Sequence, residues 1–101
     1  MASKLRNVLI ADDHAIIRQG LKQIIADSGD FIVAAEAATG LAALQSLREQ
    51  RFDLLPLDIS LPDRNGIEVL RQARREFPAL RVLMLSMHRE DQYARSEEHT
   101  S

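Results

Sequence analysis

The sequence predicts an α/β protein on a doubly wound parallel sheet, reduced to about four strands and three helices. Three observations predict it. Short apolar runs recur along the chain: VLIA at residues 8–11, FIVAAEA at 31–37, FDLLPL at 52–57 and RVLML at 81–85. The stretches between them carry apolar residues at helical spacing. The two kinds of segment alternate strictly as β-α-β-α-β-α-β, the pattern that gives parallel strands, right-handed crossovers and helices on both faces of the sheet.

The elements follow in order. Residues 8–11 form a continuous apolar run and read as a fully buried strand, ended by Asp12 and Asp13. Ile16, Ile17, Gly20, Leu21, Ile24 and Ile25 then stripe an amphipathic helix over residues 15–27. Ser28, Gly29 and Asp30 make a turn into a second strand at 31–37. Thr39 reads as an N-cap, and Leu41, Leu44 and Leu47 stripe the helix behind it. The third strand covers 52–57 and delivers Asp58. Asn65 and Gly66 mark a turn. Ile67, Leu70, Ala73 and Phe77 stripe the third helix, closed by Pro78. A fourth strand at 81–85 ends at Ser86.

Composition bounds the function. The chain has 101 residues, 46% of them hydrophobic, which suits one small domain. A net charge of −2 does not suggest a surface that coats nucleic acid. Without cysteine there is no disulfide framework and no thiolate chemistry. The apolar run at 8–11 is too short for a signal-peptide core, and no window approaches a membrane span. A soluble cytoplasmic protein with no membrane partner is expected. No Gly-rich G-x-G-x-x-G follows the first strand, which disfavours dinucleotide binding.

In such sheets ligands bind beyond the carboxyl ends of the strands. Strand one ends in Asp12 and Asp13, strand three in Asp58 and strand four in Ser86; strand two ends without an acid. Converging carboxylates repel one another, so the cluster either raises a pKa or binds a cation. Oxygen ligands favour Mg²⁺ over zinc or copper. Mg²⁺ held by one or two carboxylates suits phosphate handling, and the nearest carboxylate is a candidate nucleophile for an aspartyl phosphate. Ser86 is placed to donate to a phosphoryl oxygen. Each residue also has a plainer reading. Asp12 and Asp13 could be a turn and helix cap, Asp58 a surface turn residue, and Ser86 an ordinary strand end. His14 reads as an exposed residue at a helix start, with a metal ligand as the alternative. Arg71, Arg74 and Arg75 read as a solvated helix face.

The segments VLIADDH at 8–14, LDISLPDRNGIE at 57–68 and VLMLSMH at 82–88 resemble the receiver domain of two-component response regulators. The style of ADDHAIIRQGL and LSMH is similar to the subfamily that carries a C-terminal LuxR-type helix-turn-helix. The resemblance implies a flavodoxin-like receiver fold with strand order 2-1-3-4-5. It implies that Asp58 accepts a phosphoryl group from a sensor histidine kinase. It implies Mg²⁺ held by Asp12, Asp13, Asp58 and the main-chain carbonyl of Ser60, with Ser86 as the switch hydroxyl and Pro62 and Gly66 shaping the loop. It further implies control of transcription through a DNA-binding part absent from these residues, and a homodimer of the intact protein. The family's lysine at the end of a fifth strand has no counterpart, since the lysines are Lys4 and Lys22.

The resemblance covers residues 6–94, an incomplete receiver domain that lacks the C-terminal helix, strand and helix. Residues 95–101, RSEEHTS, match the translation of a common sequencing-library adapter and are expected to be a non-native tail. Without a fifth strand, the fourth is expected to be an open edge. Pro56 lies inside a predicted central strand, where a residue without an N–H removes a ladder bond; by analogy with a helix interior the cost is on the order of 3 kcal/mol. Two other functions compete. One is a protein-binding module of the same fold that is never phosphorylated. The other is an aspartyl-phosphate phosphatase, but that chemistry needs an acid two residues after the nucleophile, where Ser60 stands.

Overall fold

The computed structural model describes residues 5–85. The elements are β1 (Arg6–Ala11), α1 (Ala15–Ser28), β2 (Phe31–Ala37), α2 (Gly40–Glu49), β3 (Leu54–Asp58), α3 (Gly66–Glu76) and β4 (Arg81–Leu85). The strands form one parallel sheet in the order β2-β1-β3-β4. This is the α/β architecture expected from the sequence, in the strand order that the family resemblance implies. None of the described helices is long and apolar enough to cross a membrane.

The all-apolar run Val8 to Ala11 is fully buried because β1 lies inside the sheet with a helix layer on each face. Leu9 and Ala11 join Leu55 and Leu57 of β3 in one cluster with Ala43, Leu44 and Leu47 of α2 and Val69 and Ala73 of α3. Val8 and Ile10 alternate with these and point to the opposite face. There α1 lies against β1 and β2. At the edge, β2 alternates half-buried and exposed residues, as a strand with one face better covered than the other should.

Four details differ from the sequence reading. Helix α1 buries no residue fully: Ile17, Leu21 and Ile25 are half-buried against the sheet, while Ile16 and Ile24 are 84% and 68% exposed. Its apolar stripe is wider than the face that the described residues cover. In α2 the buried line is Gly40, Ala43, Leu44 and Leu47, leaving Leu41 exposed. In α3 it is Gly66, Val69 and Ala73, leaving Ile67 exposed, because the face turned to the core is centred one position away from the stripe Ile67, Leu70, Ala73 and Phe77. Phe52 is buried but precedes β3, whose start is held instead by Asp53, which accepts from the Asn7 N–H on Oδ2 at 2.8 Å.

Pro56 does sit in a central strand, buried between β1 and β4. On the β4 side the register runs unbroken from Leu54 opposite Arg81 to Asp58 opposite Leu85. On the β1 side it is made only at Val8 with Leu54 and Ala11 with Leu57. The gap falls beside the one residue of the strand with no N–H to give. The strand is kept straight enough to deliver Asp58, at the cost of ladder bonds.

Gly66 meets a different constraint. Its N–H donates to the Ile59 carbonyl at 2.7 Å. A Cβ there would collide with the Asp58 carbonyl oxygen and lie 2.8 Å from the Ile59 Cα, backbone that has no room to yield.

Two outcomes follow for stability. Pro56→Leu restores a donor to β3 and is expected to raise the unfolding free energy by about 1 kcal/mol, the net value of one backbone hydrogen bond, and with it the urea midpoint; an equal or lower midpoint would contradict this. Gly66→Ala is expected to cost roughly 1–3 kcal/mol, as overpacking against rigid backbone does. Unchanged thermal melting of that variant would show that the α3 start is not pressed against the Asp58 backbone.

Candidate functional site

Neighbouring parallel strands end side by side, so β1 and β3 bring Asp12 and Asp58 together at the carboxyl edge of the sheet. Both are almost completely buried, at 1% and 3% exposed. Asp13 lies beside them and is more open. One ligand atom from each of Asp12, Asp13, His14 and Asp58 can be chosen so that all four lie within 4.8 Å of one another. The three acids expected to converge do so.

Each buried acid is held by the chain that follows it. Asp12 accepts the His14 N–H on Oδ1 at 2.8 Å, turning the chain into α1. Asp58 accepts the Ser60 N–H on Oδ1 at 3.0 Å, turning the chain into the β3–α3 loop. Both turns aim the side chain across the sheet edge and satisfy one oxygen locally. The Ile59 N–H donates to the Leu85 carbonyl at 3.1 Å, so the loop starts pinned to the end of β4. Ser60 and Asn65 form an antiparallel bridge, and the Asn65 side chain caps α3 by accepting the Ile67 N–H at 2.8 Å.

His14 departs from its expected place on the solvent side. It does open α1, and its side chain is 42% exposed, but the ring turns inward. Its Nδ1 stands 2.9 Å from Asp12 Oδ1, 3.1 Å from Asp13 Oδ1 and 3.8 Å from Asp58 Oδ2. The hydrogen bond to Asp12 raises its pKa above the ordinary histidine value against some desolvation, and the charges of Asp13, Asp12 and Asp58 add to it. The centre of the acid cluster therefore favours positive charge. Two buried carboxylates and a third at the rim, converging on such a point, are a donor set that fits Mg²⁺.

Two residues of this neighbourhood were not singled out from the sequence. Arg18 donates through Nη1 to the Asp12 carbonyl at 2.6 Å and through Nε to Glu36 Oε1 at 2.9 Å. Asp63, at the tip of the β3–α3 loop, accepts the Gly40 and Leu41 N–H groups at the start of α2. Both act across the chain, on partners 6 to 23 residues away, where local patterning gives no signal. Pro62 lies in the same loop. Ser86, like His88 and residues 95–101, lies outside the described residues; the last described residue, Leu85, registers directly opposite Asp58. Arg71, Arg74 and Arg75 are exposed, as expected of a solvated face.

The comparisons with known proteins agree with this geometry. The family model for the response regulator receiver domain matches residues 8–98. The uncharacterized transcriptional regulatory protein YhcZ of Bacillus subtilis is 36% identical over 86 residues, covering 85% of this chain and 40% of YhcZ. The chain thus spans about two fifths of the length of such curated relatives. Among solved structures, a LuxR-family two-component response regulator from Aurantimonas sp. SI85-9A1 superposes with a TM-score of 0.77 at 34% identity, over 84% of this chain and 61% of that one. RcsB of Salmonella enterica serovar Typhimurium, bound to promoter P1flhDC in the presence of the phosphomimetic BeF3⁻, superposes with a TM-score of 0.75 at 30% identity, over 83% of this chain and 43% of that one. With its sheet order, its buried acids and these matches, the chain belongs to the response regulator receiver domain family of two-component systems, with relatives among the LuxR-type regulators.

Proposed function

We propose that this chain is a phosphoacceptor: Asp58 takes a phosphoryl group from a histidine of a sensor kinase, and the modified domain controls transcription through a DNA-binding part outside these residues. The observation that carries this reading is the burial of Asp58 at the end of β3, beside Asp12 and Asp13 at the end of β1. A carboxylate is an adequate nucleophile toward phosphorus once it is aligned and its charge is compensated.

In the step itself one oxygen of the Asp58 carboxylate forms a P–O bond as the P–N bond to the donor imidazole breaks. The imidazole leaves with the electron pair and takes up a proton. Asp58 Oδ1 is engaged by the Ser60 N–H, and Oδ2 is the oxygen turned toward the acid cluster. That arrangement leaves the nucleophile oriented by its own loop. Asp12, Asp13, Asp58 and the Ser60 carbonyl are the residues that would hold Mg²⁺, which when bound offsets the negative charge of the carboxylates and the incoming phosphoryl group. The family resemblance gives Ser86, the residue after Leu85, the role of the hydroxyl that meets the phosphoryl oxygens. His14 must yield the centre of the cluster to the cation.

The DNA-binding part of the proposal draws its support from relatives. YhcZ is a transcriptional regulatory protein, and RcsB has been solved on promoter DNA. No turnover enzyme is proposed, since Ser60 occupies the position where the phosphatase chemistry needs an acid.

The test is labelling of the chain by a small-molecule phosphodonor with Mg²⁺, read as a phosphate adduct by intact mass. The adduct is expected in the wild type, absent with chelator and abolished in Asp58→Asn. An adduct retained in Asp58→Asn would place the acceptor elsewhere. A folded wild type that never labels would favour an unphosphorylated protein-binding module. Arg18→Leu, which removes the donor from the Asp12 carbonyl, is expected to slow labelling by on the order of tenfold, as the loss of an outer-shell partner does; a rate equal to wild type would remove Arg18 from the positioning of Asp12.

A further inference from the structure

We infer that Asp63 is a positioning residue that clamps the β3–α3 loop to the start of α2 and thereby holds the Ser60 carbonyl in place for the cation; this rests on the metal reading above. The clamp uses both carboxylate oxygens. Oδ1 accepts the Gly40 N–H at 2.7 Å and Oδ2 the Leu41 N–H at 3.0 Å.

Helix α2 does not depend on this contact for an ordinary cap. Thr39 Oγ1 accepts the Ala42 N–H and the Thr39 carbonyl accepts the Ala43 N–H, each at 3.0 Å. Asp63 takes the N–H groups of Gly40 and Leu41, so the three open donors from Gly40 to Ala42 are all satisfied. A helix already capped by its own residue gains little further definition from a second acceptor. The loop gains a second fixed point. Its base is held by Gly66 on Ile59 and by Ile59 on Leu85, and its tip by Asp63 on α2.

Gly40 supplies an independent sign that the loop is docked there. A Cβ at Gly40 would lie 2.6 Å from Arg64 Cγ, 2.8 Å from Arg64 Cδ and 2.9 Å from Val69 Cγ2. The stem of the residue after Asp63 thus rests on the first residue of α2, at an approach that only glycine allows. The electrostatics agree. Desolvation pushes the Asp63 carboxyl up, but the N–H groups of Gly40, Leu41 and Asp63 itself, with the Arg64 charge, together hold its pKa below the usual carboxylate value. The positive end of the helix dipole favours the same charge.

Between the two anchors lie Ser60, Leu61 and Pro62. With the tip released, the segment keeps the Ser60 bridge to Asn65 and the buried Leu61 side chain but loses its hydrogen-bonded outer anchor, and a metal ligand on it is less well preorganised.

The experiment is a Mg²⁺ titration of the full chain followed by backbone amide shifts, on the wild type, Asp63→Ala, Asp63→Asn and Thr39→Ala. Asp63→Ala is expected to weaken Mg²⁺ binding on the order of tenfold, in line with the loss of an outer-shell partner. Asp63→Asn, which keeps one acceptor oxygen, is expected to fall between it and the wild type. Thr39→Ala removes a cap from the same helix without touching the loop. It is expected to lower the melting temperature while leaving Mg²⁺ affinity unchanged. If Asp63→Ala and Thr39→Ala both melt lower and both bind Mg²⁺ like the wild type, Asp63 is a helix cap only and the clamp is wrong. If the folded wild type does not bind Mg²⁺, the metal reading fails first and the clamp fails with it.

Discussion

The structure turns on the burial of two like charges side by side. Asp12 and Asp58 are nearly inaccessible, and their strands are neighbours in the sheet, so their separation is set by the backbone rather than by side-chain choice. A buried carboxylate is costly unless it is hydrogen-bonded or faced by positive charge. The surroundings supply both. The His14 and Ser60 N–H groups each take one oxygen, and the His14 ring stands among the three acids. The cluster costs folding energy, which a bound cation would offset. The rest of the fold holds it in shape: Arg18 on the Asp12 carbonyl, Gly66 behind Asp58, and the loop pinned to β4 and α2.

Much of this was legible in the residues because it is local or periodic. The run VLIA could only be a strand covered on both faces, and it is. Thr39 was readable as a cap, and Asp12, Asp13 and Asp58 were readable as strand ends that topology would bring together. What failed was finer. Helical stripes fix a face only to within the width of one residue. So Leu41 and Ile67 were placed inside and are exposed, while Gly40 and Gly66, too small to register as apolar, are buried. The hydrophobicity of Phe52 points to a place in β3, yet it packs into the core from the connection before the strand. The direction of the His14 ring was not legible, because a rotamer is chosen by the field of residues on other strands.

Residues that act at a distance in sequence were also silent. Nothing around Asp63 marks it as the partner of a helix 23 positions earlier. Arg18 looks like one more polar position of an amphipathic helix. Pro56 is the converse case, since its conflict with a central strand was plain from the sequence and the structure does not dissolve it. The β1–β3 register simply lapses beside it. The Leu55 and Leu57 packing and the intact β3–β4 ladder keep the strand in place. Helix α1, with Ile16 and Ile24 turned outward, and β4, an open edge among the described residues with Leu83 half exposed, mark the side of the fold that these residues leave least covered.

The central claim is that the acids at the end of β1 and β3 form a cation site that folding brings together. A far-UV circular-dichroism melt of the chain with and without Mg²⁺ tests it most directly. The account predicts one cooperative transition that moves upward as Mg²⁺ is added, by the amount that a ligand binding only the native state must contribute, and a much smaller shift in Asp12→Asn. A cooperative transition indifferent to Mg²⁺ would contradict it, since the carboxylates would then be buried together without serving a cation.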